Sequence, residues 1–201
     1  MLHPRRLVAI AGVALPLVLI GATTTSMEAA ASPRVPSSIS SKPVSASAWT
    51  HKVCQSLSKW EAKIKSLASS MSSQLQRSAT VAGARKGLTQ FLQKVGDATG
   101  QLVQQTDGAG TPKVDQGKAV AQFFHDALTQ LKQVFSQGLA RAKNLPNDPQ
   151  AFASAAENLG TQIQNGEQQV GTVFSDAKTR FSAPDIDAAL KSDPACSSLN
   201  Q

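Results

Sequence analysis

Cys54 and Cys196 are the residues of this sequence best suited to covalent chemistry, and they are its only two cysteines. They form no C-x-x-C pair, the spacing that would place two thiols for redox exchange or for half a zinc site. Beyond the N-terminal stretch the histidines are His51 and His125, and neither stands in an H-x-x-x-H or E-x-x-H pattern that would put two ligands on one helix face. No G-x-S-x-G turn offers an activated serine, and there is neither a phosphate-binding loop nor a G-x-G-x-x-G. Carboxylates such as Asp115, Asp126, Glu157, Glu167 and Asp176 are scattered along polar faces. The chain is therefore expected to be no enzyme and to need no metal or cofactor.

Positive charge is more organised than catalytic chemistry. Between residues 48 and 105 eight basic residues face two acidic ones, whereas residues 106–201 hold eight basic and ten acidic. Lys52, Lys59 and Lys63 recur at helical spacing, so they line one flank of a helix. Such a stripe suits an anionic surface, and its competing reading is a solvated face that keeps the protein in solution. Nucleic acid is not expected as a partner, because no aromatic residues interleave the lysines for base stacking.

These residues must be held by helices. From Trp49 the apolar residues Val53, Leu57, Trp60, Ile64, Leu67, Met71 and Leu75 alternate steps of three and four. A second stripe runs through Val81, Ala84, Leu88, Phe91, Val95, Ala98 and Leu102, widened by Leu92 and Val103, until TDGAGTP breaks it. The third is Val120, Phe124, Leu128, Leu131, Phe135, Leu139 and Ala142, stopping at NLPNDP. There Asp148 is a natural N-cap and Pro149 a natural first helical residue. The fourth runs Phe152, Ala156, Leu159, Ile163, Val170, Phe174, Ala177 and Phe181, and a short helix from about Pro184 to Leu190 precedes an irregular tail. Period-two alternation is absent and so is tyrosine, so no sheet is expected. Glycines such as Gly138, Gly160 and Gly166 fall within these patterns, allowing close helix approach or room for a ligand.

The N-terminus reads as an export signal: Arg5 and Arg6, an apolar run from Leu7 to Ala22, and an A-x-A site at Ala29 and Ala31. The run is shorter than the roughly 20 residues of a spanning helix and Pro16 interrupts it. Residues 1–31 are thus expected to be a signal peptide, 32–47 a disordered Ser/Pro-rich linker, and 48–201 the folded domain, with no transmembrane segment in the mature chain. The expected fold is all-α, an antiparallel up-down-up-down four-helix bundle with a short C-terminal helix. In that topology the first helix begins where the fourth ends, so Cys54 and Cys196 meet and form a disulfide, as export to an oxidising compartment permits.

WTHKVCQSLSKW at the first helix, GAGTPKVDQG before the third, LPNDPQAF before the fourth and the SDPAC tail together resemble a group of small exported helical proteins of high-GC Gram-positive bacteria, mostly uncharacterised. The resemblance covers Ala48 to Leu199 and implies fold and export; none of the four motifs is catalytic. The expected function is a secreted or cell-envelope-associated, non-enzymatic module that binds an anionic envelope component or another protein. The alternative is a carrier of a small apolar ligand between the helices, motivated by Phe91, Phe124, Phe135, Phe152, Phe174 and Phe181.

Overall fold

In the computed structural model, residues 40, 42–181 and 183–197 are described, with the side chains of residues 170 and 173–179 left aside. The expected signal peptide, most of the expected linker, and Val170, Phe174 and Ala177 of the fourth stripe lie outside this description. The described residues form six helices and two strands of two residues each, with a disulfide between Cys54 and Cys196.

Local chemistry explains where the helices begin. Helix α1 (Ala46–Arg77) starts where the Ser45 hydroxyl accepts a bond from the Ala48 N–H, and α2 (Val81–Asp107) where Thr80 does the same for Gly83. Each bond satisfies an N–H that the first helical turn leaves without a partner. Helix α3 spans Gly117–Lys143. Helix α4 (Pro149–Arg180) opens as its sequence predicts, with Asp148 Oδ1 accepting from the Ala151 N–H at 2.8 Å and Pro149 as first residue. The chain closes with α5 (Pro184–Ser192) and α6 (Pro194–Ser197), so Cys196 lies in a helical turn where an irregular tail was expected. Asp193 between them accepts from the Ala195 N–H at 2.8 Å, which starts the second turn.

The linker expected to run through residue 47 is corrected at its end. Strand β1 (Pro43–Val44) pairs in parallel with β2 (Thr111–Pro112), and α1 already begins at Ala46. The Thr111 N–H donates to Lys42 O at 2.9 Å, and the Lys113 N–H donates to Val44 O at 2.7 Å. Backbone bonds and the packing of Val44 against the core around Trp49 hold this arm, and one valine among serines and prolines is too weak an apolar signal to mark it as ordered. Gly110 admits it: its φ is +92°, and a Cβ there would lie 2.6 Å from Lys42 O. The ladder stays short because Pro43 and Pro112 lack N–H donors.

Two clusters of buried side chains result. One joins Leu67 of α1, Leu92 and Val95 of α2, Leu131 and Phe135 of α3, and Leu159 of α4. The other gathers Trp49, Val53, Val120, Ala183 and Ile186, so α5 covers the start of α1. The buried line of α2 differs from the expected stripe: it runs through Leu92, Val95, Thr99, Leu102 and Thr106, while Leu88 and Phe91 are half-buried. Two threonines can sit there because their hydroxyls are bonded. Thr99 Oγ1 donates to Val95 O at 2.8 Å and accepts from Trp60 Nε1 at 3.1 Å, and Thr106 Oγ1 donates to Leu102 O.

Candidate functional site

Helix α1 carries Lys52, Lys59 and Lys63, all exposed. At 100° per residue they fall within about 40° of one another, spaced about 10 and 6 Å along the axis. Lys59 and Lys63 border a shallow groove of about 70 Å³ between α1 and α2, shared with Ser56, Trp60, Gln101 and Gln105. Its α1 wall is fixed from within. The Trp60 indole is tied to buried Thr99, and Ser56 Oγ donates to Lys52 O at 2.8 Å. The groove therefore offers two ammonium groups on one bank and two primary amides on the other, with Lys52 continuing the line.

What neutralises these charges decides whether they are available. Among the described residues, none of the three lysines forms an ion pair. Glu61, which lies among them in sequence, pairs instead with Lys65 at 2.7 Å. Sequence reasoning found the lysines but missed Gln101 and Gln105, because the buried line of α2 includes Thr99 and Thr106, which carry no apolar signal, beside Val95 and Leu102.

The cysteines meet as expected, with a Cα separation of 5.0 Å across 142 residues. The bridge is flanked by polar bonds that the sequence did not reveal. His51 Nδ1 lies 3.0 Å from Asp193 Oδ2, and Ser58 Oγ donates to Ala195 O at 3.1 Å. The Asp193 carboxyl is held below the ordinary carboxylate range. Desolvation pushes it up, and is outweighed by hydrogen bonds from the Ala195 N–H and His51, the His51 charge and the Cys196 N–H. The second histidine, His125, has Nδ1 2.8 Å from Asp107 Oδ1, joining α3 to the end of α2. No group of three or more histidines, cysteines or carboxylates that could hold a metal occurs among the described residues.

Five of the six phenylalanines expected beside an apolar ligand belong to or pack against the two cores. Phe91, Phe135 and Phe152 join the first, and Phe124 and Phe181 the second, where Phe124 meets Trp49 edge to face at 5.1 Å. Phe174 is outside the described residues. A larger cleft, about 280 Å³, opens between α3 and α4, and none of these phenylalanines lines it. Its polar rim is Gln137, Arg141, Gln162, Asn165 and Gln169. No family model matches the chain, and neither a curated protein nor a solved structure matches it. Among the described residues no helix is long and apolar enough to cross a membrane.

Proposed function

We propose that this is an exported, non-enzymatic four-helix bundle that binds a linear anionic polymer of the cell wall along the α1–α2 groove. The up-down-up-down arrangement is part of the proposal. It is supported by proximities that descend one helix as they ascend the next: Gln74 with Gly87 and Trp60 with Thr99, then Leu92 with Gly138 and Gly100 with Lys132, then Gly138 with Ile163 and Val134 with Gly166. Export rests on the signal-like residues 1–31 and on the disulfide, which persists in oxidising compartments. Kinship with the exported proteins that the four sequence motifs resemble belongs to the same reading.

The observation that carries the binding claim is the set of lysines without an ion pair among the described residues, beside a groove already furnished with amides. A polymer suits that shape better than a lipid surface does. Proteins that lie on membranes bury apolar side chains among the headgroups. Among the described residues the one large exposed apolar side chain is Leu75, three turns beyond Lys63 on α1. An anionic chain needs only a row of cations at its own charge spacing, and counterion release on contact drives binding.

Replacing Lys52, Lys59 and Lys63 together by glutamine tests the reading. The variant should be released from isolated cell walls that retain the wild type, with helicity and thermal midpoint nearly unchanged, since exposed charges contribute little to folding. Equal retention of both proteins, or binding of the wild type to anionic vesicles but not to walls, contradicts the proposal.

A further inference from the structure

The α3–α4 cleft has a composition unlike either core. Gly138 and Gly166 let the two helices approach closely: a Cβ on Gly138 would lie 3.0 Å from Ile163 Cδ1, and one on Gly166 would lie 2.7 Å from Val134 Cγ2. Val134, Leu159 and Ile163 supply its apolar walls. Above them stand four primary amides and one guanidinium, and among the described residues no acidic one lines the cleft. Among the described residues Arg141 forms no ion pair; its Nη1 donates to Gln162 Oε1. A cation braced by a neutral amide keeps its full charge, and its planar fork matches a carboxylate.

We infer that this cleft binds the C-terminal end of a short peptide, its carboxylate on Arg141 and its last peptide groups on the amides of Gln137, Gln162, Asn165 and Gln169. A primary amide presents a donor and an acceptor side by side, which pair at two points with the N–H and C=O of one residue of an extended peptide, whereas a hydroxyl offers no such fixed pair. Charge sets the sign of the ligand: one cation with no acid beside it admits an anion and disfavours a free amine. Volume sets its size, since about 280 Å³ holds a few residues and no large ligand. The site lies on helices other than those of the lysine groove, so it stands or falls separately from polymer binding.

The test uses the protein labelled with ¹⁵N and three probes: N-acetyl-Ala-Ala, the same peptide with an amidated C-terminus, and glucuronate. The free-acid peptide should shift the side-chain amide signals of Gln137, Gln162, Asn165 and Gln169 saturably, with Kd on the order of 1 mM. The amidated peptide should bind at least about tenfold more weakly, and Arg141→Gln should weaken the free acid by a similar factor. The site is overturned by the absence of saturable shifts up to about 10 mM, by equal affinity for the amidated peptide, or by a preference for glucuronate. Unchanged binding in Arg141→Gln overturns it as well. The amidated probe acts on the wild-type protein, so that comparison holds whatever the variant does to folding.

Discussion

Breaking the Cys54–Cys196 bridge should lower the stability of the whole domain, and the loop it closes sets the scale. The two cysteines are separated by 142 residues. In the chain-entropy treatment, freeing a loop of that length returns about 17 cal/mol/K to the unfolded chain, or about 5 kcal/mol at 25 °C. For a domain of this size each kcal/mol moves the midpoint by roughly 2 to 4 °C, so the full effect is a fall of about 10 to 20 °C. Native contacts that remain keep the folded arrangement, so the loss falls mainly on the unfolded chain. Without the bridge, α5 and α6 are held to α1 by burial of Ile186 and Ala189, the His51–Asp193 pair and the Ser58 bond to Ala195 O. Thermal unfolding followed by far-ultraviolet circular dichroism, on oxidised protein, reduced protein and Cys54→Ser/Cys196→Ser, measures the fall. A shift below about 3 °C in both reduced forms would refute the view that this link constrains the unfolded chain.

Glycines in the helices should respond according to what faces them. Gly160→Ala, where a Cβ meets nothing within 4 Å, should stabilise by about 1 kcal/mol. Gly166→Ala should show no such gain, because its methyl meets Val134, but should recover it relative to a Val134→Ala parent; equal effects at 160 and 166 in denaturant titrations would contradict the close α3–α4 approach. Thr50 is 1% exposed and its hydroxyl has no partner among the described residues, so Thr50→Val should stabilise by about 1 kcal/mol in the same titrations. Because the Asp193 pKa is lowered on folding, its contribution is present above the ordinary carboxylate range and is lost as pH falls through the folded value. Asp193→Asn should therefore flatten the acid limb of stability against pH, and an unaltered acid limb would show that the carboxylate does not secure the α5–α6 segment.

The parts of this molecule that were legible in its sequence are those governed by neighbours along the chain. Asp148 and Pro149 announce the start of α4, and TDGAGTP announces the end of α2 near Asp107. The disulfide was legible one step further, through the helices and the compartment. What was hidden depends on partners distant in sequence. Residues 43 and 44 look like linker until the backbone N–H groups of Thr111 and Lys113 account for the carbonyls of Lys42 and Val44. Thr99 looks like an exposed threonine, yet it is 0% exposed, its hydroxyl bonded to Val95 O within α2 and to Trp60 across on α1, and the same helix brings Gln101 and Gln105 to the lysine groove. The amides of the α3–α4 cleft flank the apolar stripe at steps of three and four, a signal indistinguishable in sequence from an ordinary solvated flank.

The central claim, that Lys52, Lys59 and Lys63 act together on an anionic chain, is tested most directly by the salt dependence of binding to a soluble linear polyphosphate. Three contacts, at about 0.7 counterion released per contact as on a single-stranded polyanion, give a slope near −2 for log K against log salt. The account predicts that slope for the wild type and one approaching zero for Lys52→Gln/Lys59→Gln/Lys63→Gln. The same slope in both proteins would contradict it.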